Sequence, residues 1–86
     1  MSKLRRFARG QPCTLLLRGC DGGGETTVLA HGRGAGMGTK LHDTQGCHAC
    51  GPCHAQLDSL PTQDFWLVFP NAQRLTMNRA HDAGLL

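Results

Sequence analysis

Residues 50–54 read Cys50-Gly51-Pro52-Cys53-His54. The C-x-x-C spacing brings two thiolates to one ion within a single turn of chain. A second pair, Cys13 and Cys20, lies upstream with six residues between its members. Two such pairs can close a tetrahedral zinc site with Zn–S distances of about 2.3 Å. Cys47 and Cys50 form another C-x-x-C. On spacing alone, Cys47/Cys50 is therefore an alternative to Cys50/Cys53 as the second half of the site.

The rest of the composition explains why such a staple is needed. The chain has 86 residues, the size of one domain. Leu, Val and Phe number 17 and Ile is absent, so barely a fifth of the chain is strongly apolar. That lies at the edge of what a folded core requires. The 12 glycines add backbone entropy that folding must overcome. Small domains of this kind use disulfides, a metal or a partner. Five cysteines, an odd number, argue against a closed disulfide framework. No apolar stretch follows the basic N-terminus as a signal peptide would need, so a cytoplasmic location with reduced thiols is expected. No apolar run is long enough to span a membrane.

The formal charge is +3, from nine Lys and Arg against six Asp and Glu. Four thiolates on one Zn2+ would lower that figure by about two, so the global charge says little. Clustering says more. Lys3, Arg5, Arg6 and Arg9 form a basic lead-in, and arginine suits bidentate phosphate contact. The alternative is a solvated arm.

The lead-in, residues 1–10, can form a short helical turn through Leu4 and Phe7, ended by Gly10. Thr14–Leu17 is β-prone, and Glu25–His31 (ETTVLAH) reads as a strand. Gly32–Gly38 (GRGAGMG) reads as an exposed loop. Thr39–Ala49 is polar and reads as irregular. Cys50–Leu60 looks helical, stopped by Pro61. Asp64–Phe69 (DFWLVF) fits either helix or strand. Asn71–Leu86 fits a final helix with Asn71 as its N-cap.

Three chemistries use the C-G-P-C-H run. Thioredoxin-like redox catalysis would need a preceding βαβ pattern, which is missing. Covalent haem attachment at C-x-x-C-H would need export and an axial partner such as Met77. The third reading includes His31. A strand-end His, a Gly-rich loop, then C-x-x-C-H on a helix is the order of a ββα-metal nuclease. There the strand His deprotonates water, and a divalent cation on the helix His stabilises phosphorane charge and the leaving 3′ oxygen. Otherwise His31 is a half-buried strand-end residue, and His54 a helix-cap residue or zinc ligand.

The segments Arg9-Gly10, Cys13, Cys20, residues 25–31 (ETTVLAH), Gly36–Lys40 (GMGTK), Asp43 and Cys50–His54 resemble the YbcO-type family, small phage and prophage proteins regarded as HNH-like nucleases. The resemblance runs from about residue 3 to Asp58. It implies an α+β, zinc-stapled ββα-metal (HNH, His-Me finger) fold and a DNA-cleaving role. Carried over, Cys13, Cys20, Cys50 and Cys53 hold structural Zn2+, and His31 is the general base. His54 holds the catalytic divalent cation, Mg2+ or similar, and Asp43 stands where many HNH proteins have their central Asn. Ala30 occupies the place where many of them carry an acid beside the base. The cation then falls to His54 with Asp43 or His42 and water.

The expected arrangement is one domain over residues 1–86: a basic lead-in (1–10), a zinc and ββα core (11–60), and a C-terminal helical segment (61–86). Phe65, Trp66, Leu67 and Phe69 are expected to cover the back of the motif. The expected function is metal-dependent endonucleolytic cleavage of DNA in a phage or prophage setting, leaving 5′-phosphate and 3′-hydroxyl ends. Arg5, Arg6, Arg9, Arg33 and Lys40 are the expected phosphate contacts. DNA is the expected partner, with a recombination accessory protein a further candidate and no membrane involved. The competing function is a non-catalytic zinc module that binds nucleic acid or a protein.

Overall fold

The structure, a computed structural model, describes residues 2–32 and 42–86. Apart from Gly32, the glycine-rich loop lies outside the described residues, and Arg33 and Lys40 with it. Helix α1 (Lys3–Ala8) precedes strand β1 (Val28–His31), and strand β2 (Gly46–Ala49) follows a short 3-10 turn at Asp43–Gln45. Helices α2 (Gly51–Ser59) and α3 (Thr62–Asp82) complete the chain. This is a small α+β arrangement built on a two-stranded antiparallel sheet.

The register pairs Val28 with Ala49, Leu29 with His48, Ala30 with Cys47 and His31 with Gly46. Successive strand residues face opposite sides, and here both sides are covered. Leu29 packs with Leu4, Ala8 and Ala80. Ala30 and Cys47 pack with Leu57, Phe65, Phe69 and Ala72. The sheet is thus held between α1 on one face and the aromatic face of α3 on the other.

The polar-looking stretch 39–49 therefore contains a fully buried strand. Its polarity is misleading because each polar group is satisfied. The His48 backbone N–H donates to Thr76 Oγ1 at 2.8 Å. Its carbonyl accepts from Thr14 N and Oγ1 at 2.8 and 2.7 Å. Its ring packs against Phe7, and Arg79 Nη1 donates to its Nδ1 at 3.1 Å. Burial first, then the Arg79 charge, lowers the His48 pKa to about 4, which keeps the ring neutral.

Thr14–Leu17 is not a strand. Leu16 takes a left-handed conformation (φ 52°), and the segment turns so that Leu17 N–H meets Cys53 Sγ. The turn closes back at Gly23, whose φ is +93°. A Cβ there would lie 2.5 Å from the Cys13 nitrogen, so only glycine fits.

The C-terminal third also differs from expectation. One continuous helix runs from Thr62 to Asp82 through Pro70. Asn71 caps nothing; its side chain accepts from Arg74 Nη2 at 2.7 Å. Proline forfeits one helical hydrogen bond, and apolar burial on either side (Phe65, Phe69, Ala72) offsets that loss. The helix ends in a Schellman motif, with Leu85 N donating to Ala80 O and Gly84 N to His81 O. Phe65 and Phe69 are buried and stacked, but Trp66 and Leu67 stay 44% and 77% exposed. Consecutive residues on a helix cannot share one face, so only the i, i+4 pair covers the motif.

Thr76 is fully buried and satisfies the His48 N–H. Thr76→Val keeps the shape and removes that acceptor. The expected loss is about 1–3 kcal/mol of unfolding free energy, read from denaturant titration of metal-loaded protein.

Candidate metal centre and cleft

Cys50 is the N-cap of α2, its sulfur accepting from Cys53 N at 3.4 Å. Pro52 sits in the first turn, where its missing N–H costs nothing. Cys50 and Cys53 therefore come to the helix start by local geometry. The Cys13–Cys20 segment folds over them, and Gln56 of α2 donates to Arg18 O to hold it there. The sulfurs of Cys13, Cys20, Cys50 and Cys53 all lie within 4.8 Å of one another. Cys50 Sγ and Cys20 Sγ are 3.7 Å apart. Tetrahedral bonding at about 2.3 Å implies S···S spacings of about 3.8 Å, so the cluster can hold an ion such as zinc. Backbone N–H groups of Leu17 and Gly22 point at Cys53 and Cys20, each at 3.3 Å.

The electrostatics agree with this fit. Burial pushes the Cys13 thiol up, but N–H groups at Cys50, Leu16 and Leu15 outweigh it and bring it to about 7. Burial pushes Cys50 and Cys53 up, and for Cys53 the neighbouring sulfurs add to the rise. Four adjacent thiols cannot all ionise unless a cation joins them. Cys47 lies outside the cluster. It is fully buried in β2, and burial lifts its pKa to about 12.

His31 ends β1 and is about a quarter exposed. Its Nε2 lies 2.7 Å from Asp43 Oδ1. Three donors converge on that carboxylate: Ser2 Oγ on Oδ2, His31 on Oδ1, and Arg5 Nε on Oδ1 at 3.3 Å. The Ser2 and His31 hydrogen bonds, with the Arg5 charge, bring the Asp43 pKa to about 2. An ionised carboxylate only accepts, so His31 Nε2 carries the hydrogen and Nδ1 is left as an acceptor.

His54, on the first turn of α2, lies 3.7 Å through Nε2 from Asp58 Oδ2 one turn on. A cleft of about 500 Å³ is lined by Arg5, Arg9, Thr27, Val28, Leu29, His31, His54 and Asp58. It brings the two expected histidines together with two expected phosphate contacts. Asp43 is bonded to His31 and is not among the residues that line the cleft. Arg6 is exposed and is not among the lining residues. His42 spends Nδ1 on the backbone N–H of Thr44.

Sequence reasoning missed Asp58 and Ser2. The i, i+4 spacing of Asp58 from His54 on a helix was a usable signal. Ser2 carried only the signal of a helix cap, with nothing to link it to a turn 41 residues away.

The family described as "Putative nuclease YbcO" matches residues 2–81. Two relatives described by the same name, from Escherichia coli K12 and from Enterobacteria phage 82, are 44% identical over 62 residues, 67% of this chain. The match spans 65% of the length of those relatives. A solved "putative bacteriophage protein" from Escherichia coli K-12 superposes with a TM-score of 0.78 at 28% identity, over 95% of this chain and all of that one. By its match from Ser2 to His81, the chain belongs to the YbcO nuclease-named family.

Proposed function

We propose that this chain is a metal-dependent endonuclease of the ββα-metal (HNH) type, cutting DNA in a phage or prophage setting. The observation that carries the reading is the shared cleft: His31 from the strand and His54 from the helix line it together with Arg5 and Arg9. The family name and the β1–β2–α2 order add support.

His31 Nδ1 takes the proton of the attacking water, and Asp43 holds the ring through Nε2. Asp58 replaces Asp43 as the partner of His54 in holding the cation. When bound there, Mg2+ or a similar hard cation supplies positive charge to the phosphorane oxygens and the leaving 3′ oxygen. Arg5 and Arg9 fix the phosphate in the cleft. Arg6, Arg33 and Lys40 are further phosphate contacts in this reading. The products carry 5′-phosphate and 3′-hydroxyl ends. Structural Zn2+ on Cys13, Cys20, Cys50 and Cys53 holds the α2 start, and so sets where His54 stands.

Purified protein with Mg2+ or Mn2+ should nick plasmid DNA. His31→Ala should abolish nicking with metal content and secondary structure unchanged. If both proteins bind DNA equally and neither cuts, the chain is a zinc module for nucleic acid and the enzyme reading is lost. His54→Ala and Asp58→Asn should raise the Mg2+ concentration needed for half-maximal nicking, by about ten-fold or more.

The cysteine assignment has its own check by metal analysis. The parent and Cys47→Ala should each carry one zinc per chain. Cys13→Ser and Cys53→Ser should lose it and unfold, because a small core rarely survives loss of a structural ion.

A further inference from the structure

We propose that Ser2 and Arg5 of the α1 segment are positioning residues for the His31–Asp43 pair, so that the N-terminal helix is part of the catalytic centre. This rests on the assignment of His31 as the base.

The geometry is specific. Ser2 Oγ accepts from Arg5 N at 3.2 Å, which caps α1, and donates its own hydrogen to Asp43 Oδ2. Arg5 Nε takes the other oxygen, the same one that His31 holds. Both carboxylate oxygens are therefore occupied, and the carboxylate cannot rotate without breaking a contact to α1. The rest of the 3-10 turn is held by Gln45 N on His42 O and by Gln73 Nε2 of α3 on Thr44 O. Among the described residues, the groups that bond to the Asp43 carboxylate are Ser2, Arg5 and His31. His42 is turned to Thr44, and α3 offers this turn only the neutral Gln73.

Arg5 also lines the cleft. Its Nε anchors Asp43, while its terminal nitrogens make no hydrogen bond to other described residues and can meet a phosphate oxygen. One guanidinium thus connects the substrate to the base through Asp43. Ser2 is not among the cleft-lining residues and acts through Asp43 alone.

The test uses the full chain loaded with zinc. Ser2→Gly removes the hydroxyl but leaves a residue that caps a helix nearly as well. Ser2→Thr keeps the hydroxyl. The first readout is the His31 Nε2 proton by NMR, visible only while its hydrogen bond shields it from exchange. It should be sharp in the parent and in Ser2→Thr, and should broaden or vanish in Ser2→Gly with the α1 amide signals retained. The second readout is cleavage: Ser2→Gly should lower kcat about ten-fold with KM for DNA unchanged. Arg5→Lys should change both.

An equally sharp Nε2 proton in Ser2→Gly, with unchanged kcat, overturns the proposal. Arg5→Lys altering KM alone removes Arg5 from it. The NMR readout needs no cleavage, so a parent that never cuts DNA would defeat the nuclease reading while still leaving the α1–Asp43–His31 linkage open to measurement.

Discussion

Four sulfur atoms within 4.8 Å of one another bring the two halves of this chain to one point, where they could hold a metal ion. Cys13 and Cys20 belong to a segment with no regular structure of its own. Cys50 and Cys53 belong to the start of a helix. An ion joining them would do what a large core does elsewhere, because the buried residues form only a modest cluster around the sheet. The same sulfurs also do local work. Cys50 caps α2, and Cys53 Sγ accepts the N–H that turns the upstream segment. His54 is the next residue, so the direction of its side chain is inherited from the ligand on its N-terminal side.

The second constraint is the sheet. Two strands of four residues are marginal in water, and these persist because both faces are covered. α1 closes one face through Leu4 and Ala8. Once α1 is docked by those contacts, its polar edge lies along the 3-10 turn. The side chains of Ser2 and Arg5 then meet Asp43 without further ordering of the backbone. Packing by apolar residues and hydrogen bonding by polar ones are thus two sides of one short helix. His31, at the end of β1, is reached from both directions.

Much of the site could be read from sequence because it depends on local spacing. C-x-x-C followed by His on a helix, and a His at the end of a β-branched run, are patterns that chain geometry enforces over a few residues. The buried second strand could not be read in the same way. Gly46, Cys47 and His48 look like loop residues, and their burial depends on Thr76 and Phe7 far away in sequence. Asn71 reads as an N-cap for a related reason: the helix runs through it and Pro70, because tertiary packing outweighs the one hydrogen bond that the proline forfeits. Spacing alone leaves Cys47 and Cys53 as alternatives, and strand alternation keeps Cys47 out of the four-sulfur cluster. Cys47 faces the same side as its partner Ala30, into the core.

That alternation also explains how the cleft can lack an acid at residue 30. Ala30 is 2% exposed, packed in the cluster that contains Phe65 and Phe69, while His31 faces the cleft. A carboxylate at this point of the strand would be buried among apolar side chains with no partner, at a cost of several kcal/mol. For an ion bound at His54, an acid would then come from another element. Asp58, one helical turn from His54 and lining the same cleft, satisfies that requirement with no change to the sheet. On the proposed reading, the acid at the base and the acid at the cation would be separate groups on separate elements. Asp43 would remain ionised beside His31, and the cation's charge and the base's orientation would then be set independently.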